Sequence, residues 1–312
     1  MHFLITGGAG SIGRDLTRLL ISAGHRVRIL DKQVESAAAP SGEGNPAYLC
    51  GALEDARVVH QALRDVDAVI HLAWSFSDDP FVLLESDLKG HVVLLDGCAA
   101  ARVSRLFYAS TAVVYGKPRH VPITEEAPPL VEKSRKPFYA VAKLTAEKLA
   151  LAYGGLRGLP VTLFRFWWSF GERIGGRHLR DMIALAQAGR PLAVPDEAGG
   201  SFLDHEDLCS AILRALPATA SIGQVFNLAT VYLEWKEVAR MIIGIVDSAS
   251  HLDVVPARDW KGAQFLADRW ELSTAKAERL FGYRSLFSPA LARQRLEAAI
   301  GLCLQEMKES GV

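Results

Sequence analysis

A tyrosine and a lysine that could move a proton stand four residues apart in this chain, as Tyr139 and Lys143. On a helix this spacing places both side chains on one face. A free phenol titrates near pH ~10, and a neighbouring ammonium favours the phenolate, so the pair could accept a proton from an alcohol. Thr111, at the end of a predicted strand, could donate a hydrogen bond to the same oxygen.

Each of these residues also has a plainer interpretation. A Tyr–Lys pair at this spacing is usually a solvated helix face, and a strand-end threonine such as Thr111 often caps backbone groups. Residues 139–153, however, are rich in alanine, valine and leucine on nearly all sides, which predicts a buried helix. Thr111 also falls at the carboxyl end of its strand, the edge at which α/β sheets carry chemistry. Together these observations favour the catalytic interpretation.

A glycine-rich turn at residues 6–13 lies between a predicted strand and a predicted amphipathic helix. Small residues let the backbone approach a pyrophosphate, and the N-terminus of the helix offers free N–H groups and a partial positive charge. Asp31, at the end of the second predicted strand, could bind both ribose hydroxyls of NAD and would repel the 2′-phosphate of NADP. The alternative is a turn or cap aspartate, and the adjacent Lys32 softens the discrimination. The sequence therefore favours NAD over NADP.

Strands and helices alternate in the first half of the chain, which predicts an α/β fold with a doubly wound parallel sheet covered on both faces. The predicted strands lie at residues 3–6, 27–30, 48–50, 68–72, 106–109 and 161–164, the last of which closes the series. The less regular second half is expected to form a small C-terminal substrate-binding lobe over the carboxyl ends of the strands. The expected division is a cofactor domain at 1–166 with a return segment at about 201–230, and a substrate lobe at 167–200 and 231–312.

Composition bounds the class of protein. Lys+Arg and Asp+Glu number 35 each, which favours neither nucleic acid nor an anionic membrane as a partner. No uncharged apolar run reaches ~18 residues, so no membrane span is expected. The first six residues already form a predicted strand, so we expect no cleaved leader and a cytoplasmic protein. The scattered cysteines (Cys50, Cys98, Cys209 and Cys303) are expected to be reduced core residues, without a metal site.

In this order, the motifs resemble those of the extended short-chain dehydrogenases/reductases of the NAD-dependent epimerase/dehydratase family, over nearly the whole chain. The resemblance implies a Rossmann-like fold, NAD as cofactor, and Thr111, Tyr139 and Lys143 as catalytic residues. It also implies a homodimer formed through the helix bearing Tyr139 and the helix near residues 92–101. The implied cofactor contacts are Gly7, Gly10, Ser11, Ile12, Gly13, Asp31, Leu53, Leu72, Ala73, Tyr139 and Lys143.

The chain departs from the family pattern where the substrate binds. Many sugar-nucleotide members have an asparagine where this chain has Trp168, and an arginine where Gly199 and Gly200 stand. Dehydratases usually place an Asp-Glu pair directly after the catalytic threonine; here residues 112–113 are alanine and valine, which disfavours a dehydratase. The candidate substrate contacts are Trp74, Thr111, Trp168 and Arg173. Core packing is the alternative for the two indoles, and a surface charge for Arg173.

The resulting prediction is an NAD-dependent enzyme that transfers hydride at a secondary alcohol or ketone carbon of a sugar or sugar nucleotide, as an epimerase or a dehydrogenase. The first alternative is a dehydrogenase or reductase of a smaller, less polar alcohol without a nucleotide. The second is a non-catalytic sensor of NAD(P) on the same scaffold.

Overall fold

The computed structural model describes residues 1–33, 46–172, 174 and 176–309. The strands are β1 (His2–Thr6), β2 (Arg26–Asp31), β3 (Ala47–Cys50), β4 (Ala68–His71), β5 (Arg105–Ala109), β6 (Val161–Arg165), β7 (Trp168–Phe170), β8 (Leu192–Pro195), β9 (Gly199–Asp204), β10 (Gln224–Asn227), β11 (Val231–Glu234), β12 (Leu252–Val255) and β13 (Arg269–Trp270). The α-helices are α1 (Ser11–Ser22), α2 (Ala56–Ala62), α3 (Pro80–Val82), α4 (Lys89–Ala101), α5 (Pro137–Arg157), α6 (Arg177–Gln187), α7 (His205–Ala215), α8 (Trp235–Val246), α9 (Ala275–Phe281) and α10 (Pro289–Glu309).

Seven strands of the described chain form one parallel sheet in the order β10-β6-β5-β4-β1-β2-β3. Its central strands are buried along their whole length because helices cover both faces. One apolar core, which includes Leu16 and Leu20 of α1, packs on one face, and another, which includes Leu94 and Leu95 of α4, packs on the other. The predicted doubly wound, Rossmann-like fold is confirmed.

A second group of elements packs around its own core. Strands β11, β9, β13 and β7 form a small mixed sheet, and β8 pairs with β12. Helices α6, α8 and α10 cover them through apolar residues such as Ile183, Ile242 and Ile300. The exact division of the chain into two lobes stays a prediction.

Two expectations from the sequence were wrong. The strand series does not close at residues 161–164, because β10, which lies within the return segment expected at about 201–230, adds a seventh strand beside β6. Cys50 is not a core residue, since it ends the edge strand β3 and is exposed. Cys98, Cys209 and Cys303 are buried free thiols, as expected.

Two features are absent from the described residues. No helix among them is both long and apolar enough to cross a membrane. No group of three or more of their His, Cys, Asp and Glu side chains is arranged to hold a metal ion.

Candidate active site

The turn between β1 and α1 is shaped to accept a phosphate group. Gly7 has a φ of +73°, and a Cβ at this position would lie 2.6 Å from the backbone N of Ala73. A Cβ at Gly13 would lie 2.5 Å from Gly8 Cα, so the turn requires glycine at both positions. No side chain of the described residues caps α1 at Gly10, so the first N–H groups of this helix are available to an anion.

Asp31 ends β2 beside this turn. Its Oδ2 accepts a hydrogen bond from the N–H of Ala9 at 3.0 Å, and its Oδ1 accepts one from Gln33 at 2.9 Å. Each carboxylate oxygen therefore keeps a lone pair for a ribose hydroxyl. The turn and this carboxylate together fit the pyrophosphate and one ribose of NAD.

The other predicted cofactor contacts surround the same sheet edge. Ser11 and Ile12 begin α1. Leu72 and Ala73 follow β4, and their N–H groups lie 3.1 Å from the Thr6 carbonyl oxygen and 3.4 Å from the Thr6 hydroxyl. Leu53 packs against α4, where its side chain is 2.8 Å from the place a Cβ would take at Gly90. The fold thus brings segments after β1, β2, β3 and β4 to one edge.

Tyr139 and Lys143 lie one turn apart on α5 and are only 6% and 4% exposed. The ring of Phe76 stacks on the Tyr139 phenol, with centroids 6.0 Å apart and planes within 18°. The N–H of Tyr139 donates to the Asp78 carboxylate at 2.8 Å. The segment after β4 therefore covers the phenol, while Phe138, on another side of α5, is 54% exposed.

Lys143 is held at the end of β5. Its Nζ donates to the carbonyl oxygen of Ala109 at 2.9 Å and lies 4.2 Å from the Trp74 ring centre and 4.8 Å from that of Tyr108. Burial lowers the pKa of Lys143 to about 7, although the charges of Asp87 and Glu147 act to raise it. This amine is thus poised between its charged and neutral forms near neutral pH.

The electrostatics of Tyr139 differ from the sequence-based expectation. Burial raises the pKa of Tyr139 above its usual range. The charge that opposes this rise is Arg135, whereas the sequence argument assigned that effect to Lys143. In the protein chain by itself, the phenol is therefore held protonated.

Thr111 keeps a hydroxyl proton for a ligand. Its Oγ1 accepts a hydrogen bond from the N–H of Val113 at 3.2 Å, so it caps a 3-10 turn while its own O–H remains able to donate. Val113 packs against the small cluster that contains Tyr139. The neighbouring Ser110 hydroxyl donates instead to the buried Glu147 carboxylate. Thr111 is therefore the hydroxyl of this pair that can serve a substrate.

A group of buried rings lies beneath Lys143. The imidazoles of His71 and His91 stack with centroids 5.1 Å apart, and His91 lies 4.9 Å from the Tyr108 ring. Among the described residues, His71 Nε2, His91 Nδ1, Trp74 Nε1 and Tyr108 OH have no hydrogen-bond partner. Burial lowers the pKa of His91 to about 3 and that of His71 well below its usual value, so both are neutral at pH 7.

Of the predicted substrate residues, Trp74 packs against the small cluster that contains Tyr139. Trp74 lies against Lys143. Trp168 belongs to an aromatic group with Trp167, whose ring centroid is 5.4 Å away. Arg173 lies outside the described residues. Reasoning from the sequence missed Arg135, although its position four residues before Tyr139 was a readable signal.

Comparison with known proteins identifies the scaffold. Residues 3–229 match the model of the NAD dependent epimerase/dehydratase family. The chain belongs to this family. The predicted family and cofactor class are therefore confirmed: it is a family of NAD-dependent enzymes of the extended short-chain dehydrogenase/reductase type.

Several of the similar proteins are sugar-nucleotide enzymes by name. The chain is 30% identical over 215 residues to UDP-glucose 4-epimerase of Azospirillum brasilense, covering 61% of this chain and 59% of the relative. It is 29% identical over 279 residues to that of Lactobacillus helveticus, covering 78% and 82%. The chain spans only 55% to 62% of the length of the first curated relatives that it matches. The fold is that of a dTDP-glucose 4,6-dehydratase of Streptomyces venezuelae solved with NAD bound (TM-score 0.78, 24% identity, 99% and 98% covered).

Proposed function

We propose that this family member transfers hydride at a secondary alcohol or ketone carbon of a sugar or sugar nucleotide, as an epimerase or a dehydrogenase. One observation carries the proposal: Tyr139 and Lys143 are buried on one face of α5, and Lys143 Nζ donates a hydrogen bond to the Ala109 carbonyl oxygen at the end of β5. Thr111 follows Ala109 by two residues. These three side chains stand at the sheet edge that also carries the glycine turn and Asp31.

The protein side chains divide the proton chemistry among them. When bound, NAD supplies the hydride acceptor or, reduced, the hydride donor. In reduction, the protonated Tyr139 donates its proton to the substrate oxygen. In oxidation, Tyr139 first releases that proton, which the positive charge of bound NAD would favour, and then accepts the proton of the substrate hydroxyl. Thr111 donates a hydrogen bond to the same oxygen, and Lys143, with its pKa near 7, exchanges the proton that Tyr139 gains or loses. The burial of Tyr139 and Lys143 keeps this exchange away from bulk water.

The alternative substrate, a smaller alcohol without a nucleotide, is favoured by a specific contact. A Cβ at Gly200 would lie 1.9 Å from the Trp167 ring, so the indole occupies the space that a longer side chain would need there. Many sugar-nucleotide members have an arginine at this point of the chain, and here an indole stands in its path. Trp167 also stacks on Trp270, which fills the region further.

The test compares the purified protein with Tyr139→Phe. Both should bind NAD, and only the wild-type protein should turn over. Retained NAD with no net reduction of added NAD favours an epimerase, whereas stoichiometric NADH from a panel of alcohols favours a dehydrogenase. Equal turnover by Tyr139→Phe would refute the mechanism, and NAD binding without any activity in either protein would favour the sensor alternative. The homodimer and the cytoplasmic location stay predictions.

A further inference from the structure

Arg135 is a cation without a protein counter-ion beside the proposed proton donor. Its guanidinium lies over the Phe265 ring, 4.3 Å from the centroid, and in the described residues it forms no hydrogen bond or ion pair. Its side chain is exposed, yet enough protein surrounds the guanidinium that desolvation lowers the pKa of Arg135. The guanidinium is therefore accessible to a ligand on one side and packed against the Phe265 ring on the other.

Three separate parts of the chain meet at this guanidinium. Arg135 precedes α5, Phe265 belongs to a 3-10 turn at Gln264–Ala267, and His178 lies in the first turn of α6. Phe265 is followed by Leu266, whose carbonyl oxygen accepts a hydrogen bond from Trp235 Nε1 at 3.0 Å, and the same Trp235 ring packs against His178. The charge of Arg135 also acts on Tyr139 and His178. The free cation is therefore placed between the sheet that carries the catalytic residues and the second group of elements.

His178 adds a second uncommitted polar group at the same place. It is half-buried, its ring packs edge-on against Trp235 at 4.9 Å, and its nitrogens form no hydrogen bond with the described residues. Burial lowers the pKa of His178 to about 4, so at pH 7 it is a neutral ring that can donate one hydrogen bond. The nearby Asp181 is paired instead with Arg177, at 3.7 Å.

We infer that Arg135 and His178 bind a carboxylate of the substrate, and that the substrate is therefore a secondary alcohol that carries a carboxylate. A guanidinium fork matches the two oxygens of a carboxylate, and a neutral imidazole adds a donor without a second charge. The neighbouring cation Lys136 already donates a hydrogen bond to the carbonyl oxygen of Phe76. Among the described residues named here, Arg135 is the cation whose hydrogen-bond donors are uncommitted, and one guanidinium fork suits a single carboxylate. This inference rests on the proposed function, because it places the reacting alcohol at Tyr139.

The experiment separates carboxylate binding from turnover. Malonate, which has no hydroxyl group to oxidise, is titrated by calorimetry into the NAD-saturated protein, with malonamide as its uncharged counterpart and inorganic phosphate as the competing anion. The variants are Arg135→Met, Arg135→Lys and His178→Phe, and the control is Lys133→Met, which removes an exposed positive charge two residues away. Turnover is then compared between uronic acids and the matching neutral sugars.

We expect Arg135→Met to weaken malonate binding by roughly 10- to 100-fold, because a charge-assisted paired contact is lost. Arg135→Lys and His178→Phe should each weaken it less, Lys133→Met should leave it unchanged, and the uronic acids should be turned over in preference to neutral sugars. Absent malonate binding, equal binding by Arg135→Met and Lys133→Met, or tighter binding of phosphate would overturn the inference. Malonate binding that depends on Arg135, with no turnover of any alcohol, would instead refute the proposed function.

Discussion

Replacement of Lys143 by methionine should change how the stability of this protein depends on pH. Lys143 is 4% exposed, and burial lowers its pKa to about 7 from a usual 10.5. In the unfolded chain the same amine is solvated and keeps its ordinary pKa. Between these two values the folded lysine is neutral while the unfolded lysine is charged, so the unfolded state holds one more proton.

The sign and size of the effect follow from this difference. Where the unfolded state binds more protons, the free energy of unfolding rises with pH, by about 1.4 kcal/mol per pH unit for one proton. Because half of the folded lysine is still charged at pH 7, the wild-type protein should gain roughly 2 kcal/mol relative to Lys143→Met between pH 7 and pH 9. Below pH 6 the lysine is charged in both states, so the difference between the two proteins should be constant there.

Urea unfolding of both proteins without added NAD, at a series of pH values, measures this difference directly, because all other titrating groups are shared. Lys148→Met is the matched control, since Lys148 is an exposed lysine on the same helix. Its difference from wild type should not change between pH 6 and pH 9. A pH-independent difference for Lys143→Met as well would show that the amine is not desolvated in the folded protein, and the reasoning would be refuted.

Three further predictions concern the ion pair beneath the site and the cofactor turn. Glu147 accepts two hydrogen bonds from Arg165, of 2.8 and 2.6 Å, in a buried ion pair. Glu147→Gln should therefore lower the free energy of unfolding, measured in urea, by about 3–5 kcal/mol. A decrease below ~1 kcal/mol would contradict this prediction. Gly7→Ala should lower Tm more than Gly24→Ala and should abolish NAD binding. Both glycines have a positive φ, but only a Cβ at Gly7 would meet backbone, at 2.6 Å. Equal Tm values for the two variants would count against the packing argument. Asp31→Asn should weaken NAD binding by roughly 10-fold and NADP binding less, as fluorescence titration would measure, and an unchanged ratio of the two affinities would remove the ribose role of Asp31.

Local patterns in the sequence determined the alternation of strands and helices in the first half, the glycine turn and the Tyr139–Lys143 spacing. Each of these features is encoded within a few neighbouring residues: Gly7 must adopt a positive φ, and a spacing of four places two side chains on one helical face. Burial of Tyr139 and Lys143 also followed from the apolar composition of α5. Backbone sterics and periodicity suffice for such predictions.

The tertiary structure alone decided what surrounds these residues. Arg135 and Phe265 are 130 positions apart in the chain. Only packing of the second group of elements against α5 brings the Arg135 guanidinium to 4.3 Å from the centroid of the Phe265 ring. The return segment expected at about 201–230 contains the seventh strand, β10, but only the packed structure shows that this strand pairs with β6. The pKa directions of Tyr139 and Lys143 likewise depend on how many atoms exclude water from each group. Desolvation and contacts between distant segments are properties of the packed chain, and they set the chemistry of side chains whose positions the sequence had already indicated.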